Sequence, residues 1–88
     1  MKLNGEFVVR QVVDETVVVP VGQTALRFNG MLVLNDVSEV IWRCLEQGTE
    51  LDGIVTAVTD AFEVSGEEAR ADIVEFLDKL RKIQLIEE

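Results

Sequence analysis

The hydrophobic positions follow two different patterns along the chain. Up to about residue 35 they come in short, valine-rich runs. Glu6–Val13 and Thr16–Val21 are two such runs, separated by Asp14-Glu15, and they predict a β-hairpin with a short polar turn. Phe7, Val9 and Val13 fall on one face and Val8 and Val12 on the other, so both faces are expected to be partly covered. Pro20 has no N–H for a ladder, which suggests a strand end or an edge. A second turn signal, Asn29-Gly30, lies between Thr24–Phe28 and Met31–Leu34. Asn-Gly suits a type I′ turn, whose central residues both take positive φ, and it predicts a second hairpin. The alternative is an irregular loop over Gln23–Gly30 that leads into one strand at Met31. On either reading Met31–Leu34 is a short apolar strand running straight into a helix.

Beyond residue 35 the spacing changes to i, i+3, i+4. Val37, Val40, Ile41, Cys44 and Leu45 predict a first helix, with Asp36 as N-cap, Glu39 reaching back, and Gly48 at the C′ position. Leu51, Ile54, Val55, Val58 and Phe62 predict a second, capped by Thr49 and weakened at Gly53 by up to about 1 kcal/mol. The third has the clearest start. Ser65-Gly66-Glu67-Glu68 is a capping box, with Val64 and Ala69 placed as a hydrophobic staple. Its main stripe is Ala69, Ile73, Phe76, Leu80 and Ile83, and Lys79, Arg81 and Lys82 suit the negative end of the helix dipole. Leu85-Ile86 form a short apolar tail that could close the core. Arg70, Val74, Leu77 and Arg81 line a neighbouring face. That face is either a wide core stripe with a surface valine, or a second apolar groove flanked by two arginines that would take a peptide.

Composition narrows the function. The 88 residues fit one α+β domain, strands first and three helices after. The net charge is -9, with 17 acidic against 8 basic residues. Residues 1–35 balance three acids with three bases, so the whole excess lies after Asn35. With no His and one Cys there is no imidazole base, His-ligated metal, Cys-rich zinc site or internal disulfide. Carboxylates are plentiful, but no constellation supplies base, nucleophile and oxyanion donor together, so neither catalysis nor a cofactor is expected. Net acidity opposes binding to a phosphate backbone, so no nucleic-acid partner is expected. The apolar runs are too short to span a membrane, and MKLNGEF does not resemble a signal peptide, so a cytoplasmic protein is expected.

The order of elements and certain residues together resemble the PqqD family, the peptide chaperones of pyrroloquinoline quinone synthesis and related pathways, also called RiPP recognition elements. Leu34-Asn35 followed by Ile41-Trp42 and Leu45 is similar to the family's opening of its first helix. Ala69, Asp72, Phe76, Leu77 and Leu80, ending in Leu85-Ile86-Glu87, are similar to its last helix and tail. Gln84 stands where the family usually has glycine, and the strand segment matches more loosely.

The resemblance implies a winged-helix-like fold without catalysis. It implies binding of the leader segment of a ribosomally made precursor peptide, which adds as a strand before the first helix and lies against the third. The loaded chaperone presents the leader to a modifying enzyme, commonly a radical SAM protein. The candidate edge is Met31, Leu32, Val33 and Leu34. Val74 and Leu77 would form the groove, Arg70 and Arg81 would pair with acidic leader residues, and Asp72 matches the family motif. Asn35 and Trp42 are expected to be structural. Two other classes compete. A winged helix-turn-helix DNA binder could use the second and third helices, but residues 63–82 are net negative by two, with six acids against four bases. A phosphopantetheine carrier would need its serine at Ser38, where the sequence Asp36-Val37-Ser38-Glu39 departs from the carrier pattern.

Overall fold

The computed structural model describes residues 1–87. The chain runs through β1 (Lys2–Leu3), β2 (Phe7–Val12), β3 (Glu15–Pro20), α1 (Thr24–Arg27), β4 (Leu32–Leu34), α2 (Asp36–Glu46), α3 (Leu51–Ala61), α4 (Gly66–Lys82) and β5 (Ile86–Glu87). The architecture is α+β, as expected, with a fourth, short helix that the pattern did not predict. Among the described residues no helix is long and apolar enough to cross a membrane.

The valine-rich hairpin is β2–β3, paired antiparallel from Phe7↔Pro20 to Val12↔Glu15. That register moves the turn one residue back from the expected Asp14-Glu15, to Val13-Asp14. Val13 takes φ 57 there, an unusual conformation for a β-branched residue. The pleat sorts the valines by face. Phe7, Val9 and Val18 turn toward the helices and join the core cluster. Val12 and Val33 lie on the opposite face and stay 50% and 56% exposed. Helices pack one face only, and the other is partly covered as expected, with Val17 buried and Val8 and Val19 half-buried. Val17, on the outer face, is buried by its position in the central strand, opposite Arg10 and Val33.

The second hairpin does not form. Neither Asn29 nor Gly30 has positive φ, and Thr24–Arg27 is helical. Long-range bonds decide this. Thr24 Oγ1 accepts from the Glu6 N–H at 2.8 Å, and Arg27 donates to the Asn4 and Gln84 carbonyls at 2.6 and 2.8 Å. Gly5, at φ 138, lets this happen: a Cβ there would sit 2.6 Å from Thr24 Oγ1. The loop reading was the correct alternative, except that the strand starts at Leu32, leaving Met31 outside it.

The long helices occupy nearly their expected spans, with different caps. Asn35, not Asp36, caps α2. Its Oδ1 accepts from the Ser38 N–H and Ser38 Oγ accepts from the Asn35 N–H, both at 2.8 Å. Glu39 instead accepts from the Thr16 hydroxyl at 2.8 Å, tying α2 to β3. Glu50, not Thr49, is the N-cap of α3, and it caps without a side-chain bond. Gly53 leaves room for Thr49, whose Cγ2 would lie 2.6 Å from a Cβ there. Ser65 caps α4 as expected, accepting from the Glu68 N–H at 3.1 Å.

Both α2 and α4 end in the same hydrogen-bonded stop. At α2, the Thr49 N–H reaches the Cys44 carbonyl and the Gly48 N–H the Leu45 carbonyl, with Gly48 at φ 76. At α4, the Leu85 N–H reaches the Leu80 carbonyl and the Gln84 N–H the Arg81 carbonyl, with Gln84 at φ 61. These are the paired bonds of a Schellman motif. The apolar tail follows: Leu85 and Ile86 are buried, and β5 pairs antiparallel with β1, Leu3 opposite Ile86.

One core cluster joins Val18 and Leu34 of the sheet, Ile41, Trp42 and Leu45 of α2, Ile54 and Val58 of α3, and Ala69, Ile73, Leu77 and Leu80 of α4. Trp42 is fully buried, edge-on to Phe7 at 5.3 Å, and its Nε1 has no hydrogen-bond partner among the described residues. In the α4 stripe Leu77 replaces the expected Phe76 and Ile83. Phe76 is half-buried and Ile83 is 37% exposed.

Candidate functional site

The three-stranded sheet has the order β2-β3-β4, so β4 is an edge. In an antiparallel ladder alternate residues aim their N–H and C=O groups away from the neighbouring strand. On β4 those groups have no strand to meet among the described residues. β4 is three residues long and runs directly into the cap of α2, so the edge is short and its end is fixed by Asn35.

A groove of about 500 Å³ follows this edge. One wall is Leu32, Val33 and Asn35, continued by Val37, Ser38 and Ile41 at the start of α2. The other is one face of α4: Asp72, Glu75, Phe76 and Lys79. The walls match in length. Leu32 to Asn35 spans roughly 10 Å at strand rise, and Asp72 to Lys79 roughly 10 Å at helix rise. That holds three or four residues of extended chain. The floor is apolar, with Ile41 buried and Leu32, Val37 and Phe76 half-buried against the core. The rim is polar. Lys79 and Glu75 pair at 4.0 Å, while Asp72 is exposed and has no hydrogen bond or ion pair among the described residues.

The nine expected site residues separate into four groups. Leu32, Val33 and Asp72 line the groove. Met31 is 62% exposed, just ahead of β4. Leu34 and Leu77 are core residues, 5% and 1% exposed, and support the groove only from beneath. Arg70, Val74 and Arg81 lie on the far flank of α4. Arg70 reaches Asp52 of α3 at 2.7 Å, and Arg81 bonds Asp78 at 2.9 Å. The groove along β4 is lined without them. The buried stripe of α4 has two flanks, each roughly 100° from its centre, and β4 lies along the Asp72 flank. Glu75, Phe76 and Lys79 went unassigned to the site, although they share the i, i+3, i+4, i+7 face that starts at Asp72.

Two other concavities offer different surroundings. One, about 280 Å³, lies along α2 beside Asp36, Glu39, Val40, Arg43, Cys44 and Gln47. Burial pushes the Cys44 thiol up from its ordinary value, against the opposing effect of a hydrogen bond with Thr49, so it stays protonated at neutral pH. The other, about 530 Å³, lies where β1 and the start of β2 approach Leu45 and Glu46. Neither runs along β4.

The sequence matches the family model described as Coenzyme PQQ synthesis protein D (PqqD) over residues 15–86. A search of curated proteins returns no match. Among solved structures, TbiB1 in complex with the TbiA(beta) leader peptide is similar. The TM-score is 0.77 at 26% identity, covering 99% of this chain and 95% of that one. The matched span runs from the first residue of β3 through β4 and all three long helices to Ile86, taking in both walls of the groove, and the chain belongs to the PqqD family.

Proposed function

We propose that this chain is a peptide chaperone that binds the leader segment of a ribosomally synthesised precursor by strand addition to β4. The observation that carries the reading is an open edge strand walled by a helix face, in a chain similar to a protein solved with a leader peptide. Backbone bonds to β4 would supply a sequence-tolerant part of the affinity, and alternate guest side chains entering the groove would supply specificity. Leu32, Val33, Asp72, Phe76 and Lys79 make the contacts. Residues 1–88 act as one binding domain without chemistry of their own. The guest is handed to a peptide-modifying enzyme, for which the family resemblance favours a radical SAM protein.

The test is a titration of the isotope-labelled chain with the leader encoded by a neighbouring precursor gene. Amide signals of Leu32–Leu34 and Asp72–Lys79 are expected to move together. Saturable binding that leaves both segments unmoved overturns the reading.

A further inference from the structure

The groove is not electrically neutral, and its sign is opposite to that of the arginines first expected to border it. Arg70 and Arg81 are on the far flank, each already held by a carboxylate. On the groove side Lys79 is balanced by Glu75, and Asp72 is left over. An extended guest in this groove therefore meets an apolar floor at Phe76 and one unmatched negative charge about one helical turn away.

The spacing turns this into a sequence rule. Asp72 and Phe76 are four residues apart on α4, roughly 6 Å along the axis. Two residues of extended chain cover roughly 6.6 Å and return the side chain to the same face. One guest residue can rest on Phe76 while the residue two positions away faces Asp72. We propose, resting on the strand-addition reading, that the groove selects guests with a Lys or Arg two positions from an aliphatic or aromatic residue, the cation facing Asp72. The contact is an exposed pair, so it sets register and preference more than bulk affinity.

The chain's overall charge of -9 would also attract any basic peptide, so the test must separate local from global charge. A phage-displayed library of random twelve-residue peptides is selected on the full chain, on Asp72→Lys and on Asp60→Lys. Asp60 is exposed on α3, outside the groove, and its reversal changes net charge equally. The selected peptides are then synthesised and titrated.

Peptides from the wild-type chain are expected to move the Leu32 and Val33 amides and to carry the cation-x-apolar spacing. Their affinity should fall about fivefold with Asp72→Asn and about tenfold with Asp72→Lys, and less than twofold with Asp60→Lys. The Asp72→Lys selection should favour Asp or Glu at that position. Binders that move Leu32 and Val33 without a basic preference, or that respond equally to Asp60→Lys, overturn the cation rule and leave strand addition standing. Binders that never move Leu32 and Val33, or no binders at all, count against strand addition itself.

Discussion

β2 and β4 are the two outer strands of one sheet, and on each, among the described residues, alternate backbone groups meet no further strand. They differ in what stands beside them. β2 is twice as long, six residues against three, and its Phe7 and Val9 pack on the core beneath the sheet. β4 has the Asp72–Lys79 face of α4 alongside and an apolar floor beneath. An open edge by itself offers hydrogen bonds that water also offers, at a net gain of only about 1 kcal/mol each. A walled edge adds burial of guest side chains, and that is what separates a binding site from an aggregation hazard.

Proline substitution tests the contrast most severely. One of Leu32→Pro and Val33→Pro removes an N–H that points away from β3, and that variant keeps the fold. It is expected to bind the leader roughly a hundredfold more weakly by fluorescence anisotropy. The equivalent change among Val8 and Val9 of β2 should leave affinity within about twofold. Equal losses on both edges would remove the distinction.

The wall comes next. Phe76→Ala is expected to weaken leader binding about tenfold, corresponding to about 1–2 kcal/mol of lost burial. Val74→Ala, on the far flank, should not change it. The third test concerns the frame that holds the wall. Gln84 sits at φ 61 in a stop that glycine fills at α2, and its carbonyl accepts from Arg27 and Asn4. Gln84→Gly is expected to stabilise the fold by about 1 kcal/mol, seen as a melting temperature several degrees higher. The smallest effects belong to Arg70→Ala and Arg81→Ala. Each should change stability by less than about 0.5 kcal/mol, with affinity unchanged in the same titrations.

What the sequence made legible follows from local chemistry. Ser65 and Gly48 punctuate their helices because caps and left-handed stops depend on a few adjacent residues. The core stripes of α2 and α3 are readable for the same reason. α1 was not readable, because it depends on Thr24 and Arg27 meeting groups 18 to 57 residues away, against a local Asn-Gly signal. The β1–β5 pair joins two-residue strands at opposite ends of the chain, too short for a pattern. The groove was half legible. The edge strand before α2 could be placed, but the flank of α4 that faces it could not. A helical wheel is symmetric about its core stripe, and both flanks of α4 carry one exposed or half-exposed apolar residue among charges. Only the position of β4 decides between Phe76 and Val74.

The openness of β4 also bears on how the protein keeps in solution. An unpaired strand that can accept a guest can accept another copy of itself. The length of three residues and the charge of -9, carried entirely beyond residue 35, both oppose that pairing. High salt screens the charge and leaves the edge, so self-association should grow with ionic strength in the empty protein and be suppressed once the leader occupies β4. On the proposed strand-addition reading the guest caps the edge that receives it, and the loaded complex is expected to be the more soluble species.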